Sequence, residues 1–238
     1  MALDSELRQK LQIVLLAAIV LAGGRAAYIV YERHEARKAD ERPKQEQALD
    51  PDYYVTPKKL YPHDLKSARQ LTEQPVWVRT GYANTYYPYD SARHKADFTH
   101  EAGTLPPLLK LQIEDVVTEV APQAPGVKQV LSRFALNGKP YAVPIGMEKD
   151  GEYKIYSDNM FFIEDPHELY KHWPADVWKA IDNHEVRPRM SELQCAFAVG
   201  LGVPEGSSGD RTLKYANGGK PLVVTFRNGK ATEIAPGS

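Results

Sequence analysis

The strongest pattern in the chain stands near its start. Leu11 to Tyr31 is an apolar run broken only by Gln12 and Arg25, and a dense charged stretch follows it. Twenty-one helical residues rising about 1.5 Å each span about 31 Å, close to a hydrocarbon core of about 30 Å. After a short tail (1–10), the pattern predicts a transmembrane helix over 11–31. Tyr28 and Tyr31 would lie at the interface, and the Arg25 stem would snorkel toward headgroups. Two other readings share the segment. A cleaved signal peptide would use Arg8 and Lys10 as its basic start, Leu11–Leu21 as its apolar run and Ala22-Gly23-Gly24 as its cleavage site. A buried core helix would use Ile13–Gly24. The apolar run resumes over Ala26–Tyr31, which favours an uncleaved anchor.

Polar positions dominate next. Glu32 to Asp50 holds no aliphatic side chain larger than Ala before Leu49, so it has no face to bury and reads as a solvated stalk. Pro51, Pro57 and Pro62 disfavour helix before them, so Asp50–Tyr61 is expected to be extended. Leu65–Thr72 is a short helix candidate, and 32–74 as a whole reads as stalk and linker. From Pro75 the period turns to two. Val76-Trp77-Val78 opens a strand, and Leu108–Val120 partly alternates. Asn137-Gly138 separates Val130–Ala135 from Pro140–Ile145, and Asp150-Gly151 separates Ile145–Met147 from Tyr153–Tyr156. Both dipeptides suit the positive-φ positions of type I′ hairpins. Residues 75–164 are therefore expected to form a small antiparallel β domain, an SH3-like barrel.

The last third, 165–238, changes period again. Leu169 and Trp173, then Val177, Trp178 and Ile181, carry helical spacing, with Pro174 suited to a first turn. Ser191-Glu192-Leu193-Gln194 has the form of a capping box, so a helix should run from about Met190 to Val199 and end at Gly200. Pro221–Phe226 and Ala231–Ile234 flank the hairpin signal Arg227-Asn228-Gly229-Lys230. The fold class expected is α+β: a transmembrane helix, a small antiparallel β domain and a helix-plus-β-hairpin C-terminal domain.

Several residues of this third carry a family likeness. Val186, Met190-Ser191-Glu192-Leu193-Gln194, the Gly202-Val203-Pro204 break, Leu213-Lys214-Tyr215, and Leu222-Val223-Val224-Thr225-Phe226 with Asn228-Gly229-Lys230 resemble the SmpA/OmlA domain of BamE-like outer-membrane assembly lipoproteins. The likeness spans about 186–234. Arg189 stands where that family usually has Gly, and the family's lipidated N-terminal Cys has no counterpart, Cys195 being internal. The resemblance implies helices followed by a hairpin-rich sheet, and a small binding and assembly domain in a Gram-negative-type envelope.

Composition narrows the function classes. Thirty basic residues against 31 acidic ones give a net charge of −1, and no basic run is free of interleaved acids, so nothing argues for nucleic acid. A single cysteine allows no internal disulfide. His167-Glu168-Leu169-Tyr170-Lys171-His172 is one residue too long for a zinc-protease H-E-x-x-H, because five positions turn the two histidines about 140° apart. Gly206-Ser207-Ser208-Gly209 lacks the form of a nucleophile elbow, and Gly218-Gly219-Lys220 lacks the rest of a phosphate-binding loop. His94 and His100 have no third spaced ligand beside them. No cofactor or metal is expected.

One cluster invites a contact surface. Seven of the 14 tyrosines fall between Tyr53 and Tyr89. Trp77, Tyr82, Tyr86, Tyr87 and Tyr89 stand beside Pro88 and polar residues, as in aromatic surfaces that bind peptides, Pro-rich segments or sugars. The alternative is that these rings pack the β domain. The reading that follows is a membrane-anchored, non-enzymatic binding or scaffolding protein of a bacterial cell envelope. It would meet the bilayer through 11–31 and an envelope protein or peptide through the tyrosines and the C-terminal domain. The likeness would place the soluble part in the periplasm, whereas Arg33, Arg37, Lys38, Arg42 and Lys44 after the helix would hold it in the cytoplasm. The rivals are an envelope-polymer hydrolase using Glu114, Asp115 or Asp165, and a cytoplasm-facing membrane regulator.

Overall fold

A computed structural model describes residues 16, 20–35, 50–81, 84–122, 124–205 and 211–237. They belong to two compact units, 1–53 and 54–238. In the first unit, residues 20–35 form helix α1. The transmembrane helix over 11–31, and with it the single-pass membrane localisation, requires correction: among the described residues no helix is long and apolar enough to cross a membrane. Residues 20–35 carry Arg25, Glu32, Arg33 and Glu35. Residues 11–15 and 17–19, the rest of the expected span, lie outside the described residues, as does 36–49 of the stalk. At its end Pro51–Tyr54 is a 3-10 turn rather than extended chain. Proline fits a first turn because its missing N–H would be unpaired there anyway.

The second unit is α+β, with several antiparallel sheets. Its chain begins extended, then forms α2 (Leu65–Ala68), continued by a 3-10 turn over Arg69–Thr72. The strands before the middle are β1 (Val76–Val78), β2 (Thr85–Asp90), β3 (Lys95–Ala96), β4 (Gly103–Thr104) and β5 (Lys110–Leu111). A meander follows: β6 (Ile113–Val120), β7 (Val127–Leu136), β8 (Lys139–Lys149) and β9 (Glu152–Ile155). Helix α3 (Ser157–Met160) leads to β10 (Phe161–Phe162), then α4 (Pro166–Leu169), α5 (Ala175–Asp182) and α6 (Glu192–Val199). The chain ends in β11 (Gly202–Pro204), β12 (Arg211–Tyr215), β13 (Leu222–Arg227) and β14 (Lys230–Pro236).

Local chemistry accounts for the turns. Asn137-Gly138, Asp150-Gly151 and Asn228-Gly229 all have positive φ at both positions and join β7 to β8, β8 to β9 and β13 to β14. These are the two-residue turns whose twist matches paired strands. The capping box at α6 is complete. Gln194 N–H donates to Ser191 Oγ at 3.2 Å, and Ser191 N–H donates to Gln194 Oε1 at 2.8 Å. A register shift between Ile113 and Asp115 changes the phase of β6, so Ile113 and Val116 both reach the core. A second shift at Val130/Leu131 sets Pro144 in β8 where a ladder bond is interrupted.

The sheets run β3-β2-β8-β7-β6 with β4 and β9 on its flanks, β10-β1-β5, and β11-β12-β13-β14. The strands of 75–164 are thus divided between two sheets. Two cores result. One gathers Leu71, Val76, Val78, Ile113, Phe134 and Phe161. The other gathers Phe162, Trp173, Trp178, Phe197, Tyr215 and Phe226. The small sheet β10-β1-β5 lies between them because strand side chains alternate. Val76 and Val78 enter the first core while Trp77 packs on the second, and neighbouring Phe161 and Phe162 part in the same way. The extended chain before α2 is strapped onto this region. Asp158 accepts the N–H groups of Leu60 and Tyr61 at 3.0 and 2.8 Å, and Glu164 accepts that of Lys58 at 2.9 Å.

Candidate functional site

The tyrosine cluster is divided by strand geometry. Most of it lies on β2, so alternate rings leave on opposite faces. Tyr86 meets Phe134 and Tyr141 edge-on at 5.9 and 5.0 Å. Tyr87 turns the other way, edge-on to Phe98 at 5.2 Å. Tyr89 is 4% exposed, packed with Leu131 and Ala142, and the Arg133 guanidinium lies 4.6 Å from its ring centre. Burial pushes its phenol above the usual value, against the pull of Arg133. Trp77 is half-buried, with Lys110 Nζ 5.2 Å from its ring centre. Tyr82 lies outside the described residues. Tyr86 and Tyr87 are therefore parted to opposite faces, whereas Tyr87 and Tyr89 share the face that carries Phe98.

The carboxylates considered for hydrolysis are engaged elsewhere. Asp115 pairs with Arg69 at 3.3 Å and with Arg133 at 3.9 Å, and Glu114 pairs with Arg133 at 3.7 Å. Asp165 caps α4 by accepting the His167 N–H at 2.9 Å. Cys195 is buried, and burial pushes its thiol up to about 12, so no thiolate is at hand. Among the described residues no group of His, Cys, Asp and Glu could hold a metal ion.

The concentration of aromatic surface lies on α4, α5 and the turn between them. Asp165 and Pro166 start α4; Pro174 caps α5. Trp173 stands 4.5 Å from Tyr170 and 5.2 Å from both Trp178 and Phe197, ring centre to ring centre. The Trp178 indole N–H donates to the Tyr170 carbonyl at 3.3 Å. His167 stacks on Trp178 at 4.1 Å. Its Nδ1 lies 3.0 Å from Asp165 Oδ1 and its Nε2 3.2 Å from Asp182 Oδ1. Each ring nitrogen lies within hydrogen-bond distance of a carboxylate oxygen, which fixes the orientation of the ring. An open hollow of about 580 Å³ lies against this stack, bounded by His167, Trp173, Trp178, Lys171, Lys179 and Asp182. Trp173 and Trp178 are only 6% and 8% exposed, so the exposed wall is made by His167 together with the charged Lys171, Lys179 and Asp182.

Sequence spacing placed Trp173 and Trp178 on helices and turned His167 away from His172 as a zinc-ligand pair. What it missed was their assembly: His167 is held against Trp178 between Asp165, two residues before it, and Asp182, fifteen residues after it. The i, i+2 pair Asp165/His167 was the available local signal. Compared with family models, curated proteins and solved structures, the chain matches none.

Proposed function

We propose that this chain is a non-enzymatic binding or scaffolding module, and that an extended segment of a partner protein lies in the α4–α5 hollow. The observation that carries the reading is the His167–Trp178 stack, held at both imidazole nitrogens and facing the hollow. A ring clamped in this way loses little freedom when a ligand covers it, which is the advantage of a preorganised surface. An apolar or proline side chain of the partner would lie on the exposed imidazole of His167, and Lys171 and Lys179 at the rim would meet its acidic neighbours. The resemblance of 186–234 to SmpA/OmlA domains points the same way, toward assembly with another protein.

Selection of random peptides on the full chain tests the reading, with intrinsic tryptophan fluorescence as the readout. Selected peptides should converge on an apolar or proline residue beside an acidic one. Reversing the exposed charges in Lys171→Glu and Lys179→Glu should weaken them by up to about fivefold each, the equivalent of about 1 kcal/mol. Peptides that show no convergence, or that bind both variants unchanged, refute the assignment.

A further inference from the structure

A second hollow, of about 390 Å³, lies along α5 and is of different character. Its charged lining comes from Arg187, Arg189 and Lys230 against the single acid Asp176. Three cations and one anion converge here in a chain whose net charge is −1. Arg187 already pairs with Glu185 at 2.8 Å, whereas the side chains of Arg189 and Lys230 make no ion pair among the described residues.

The hollow is assembled by backbone bonds between distant segments. Arg189 N–H donates to the Ala231 carbonyl, and Ala231 N–H donates to the Met190 carbonyl, each at 2.8 Å. Ser191 and Lys230 form an antiparallel bridge. These bonds fasten the tip of the β13–β14 hairpin to the loop before α6, and so fix Lys230 beside the two arginines. Arg189 is held at φ +75°, a region that costs any residue but glycine. The strain persists because the hairpin over-determines the backbone, and its effect is to present a guanidinium at the rim.

An amide donor completes the site. Gln194 lines the hollow and is only 6% exposed. Its Oε1 is committed to the Ser191 N–H, and its Nε2 makes no hydrogen bond among the described residues. The Nε2 is not among the buried atoms that lack a partner, so it is reachable from the hollow. The floor is apolar, made by Val177, Ala180 and Met190.

From this geometry we infer that the hollow is a binding site for an oxyanion, a carboxylate or phosphate, carried on a small apolar group. Arginine forks match either anion bidentately, the Gln194 amide supplies a neutral donor, and the floor takes the apolar part. A volume of about 390 Å³ falls in the range of about 300–1,000 Å³ usual for small-ligand sites. The site is separate from the α4–α5 hollow and stands whether or not that surface binds a partner.

Calorimetric titration of the full chain at low ionic strength tests it, with N-acetyl-leucine and inorganic phosphate as the two anions and N-acetyl-leucinamide as the neutral control. At least one anion should bind and the neutral amide should not. Arg189→Gly, which suits the positive φ and so keeps the loop, should weaken the anion about tenfold, as should Lys230→Gln at the exposed hairpin tip. The preferred anion identifies the source: a chain-terminal carboxylate or a phosphate group. Binding of neither anion, binding of the neutral control equally well, or binding unchanged in both variants overturns the inference.

Discussion

Replacing Tyr89 by Ala separates a contact surface from a packing role. The side chain is 4% exposed, wedged between Leu131 and Ala142 with Arg133 across its ring at 4.6 Å. Removing a buried aromatic ring costs about 3–5 kcal/mol, and loss of a cation–π contact adds about 0.5–1 kcal/mol. At about 2–4 °C per kcal/mol for a unit of this size, the melting temperature should fall by about 7–24 °C. Tyr89→Leu keeps most of the burial and loses mainly the ring contact, so it should cost about 1–2 kcal/mol. Urea unfolding followed by far-UV circular dichroism measures both. An exposed recognition tyrosine would change stability by no more than about 0.5 kcal/mol. A Tyr89→Ala loss below about 1.5 kcal/mol would therefore refute the assignment of this ring to the interior.

Gly146→Ala should be among the most damaging single changes, because the added methyl would overlap the Lys154 carbonyl oxygen and come within 2.9 Å of Ile155 Cα in the paired strand β9. Neither backbone group can move without breaking the β8–β9 ladder; a cost under about 1 kcal/mol in the same urea assay would contradict this. Glu148 and Lys128 pair at 2.8 Å, and this bond holds the carboxyl below its ordinary 4.5 and the ammonium above its ordinary 10.5. The stability from Glu148 is thus fully present above pH 4.5 and lost as pH falls through its lowered folded value. That from Lys128 is present below pH 10.5 and lost as pH rises through its raised folded value. Glu148→Gln should flatten both limbs of the stability–pH curve relative to the parent, and limbs that superimpose would sink the linkage.

What was legible in the sequence was what neighbours in the chain decide. Asn-Gly and Asp-Gly turns need only their own backbone preference, and the β7–β8, β8–β9 and β13–β14 hairpins lie where those dipeptides stand. The Ser191–Gln194 box likewise closes on itself. The helix 11–31 was read from its apolar run, its length and its interfacial tyrosines, but among the described residues no helix is long and apolar enough to cross a membrane, and 20–35 carries four charges. The tyrosines misled because nearness in sequence within a strand places side chains on opposite faces, which sent Tyr86 and Tyr87 apart. Trp77 and Phe162 could not be assigned to the second core before their strands were known to pair at Trp77↔Phe162. Arg189 and Lys230 are joined only by tertiary bonds to Ala231 and Ser191, so no local pattern could place them in one hollow.

The little sheet with Trp77 and Phe162 on one side, and Val76, Val78 and Phe161 on the other, acts as a party wall. A chain stopped after Glu164 would leave a tryptophan and a phenylalanine facing water, and a chain begun there would lack part of its own interior. Neither half could be traded into another protein alone. Recombination that keeps the fold must carry both, and melting should remove both in a single step.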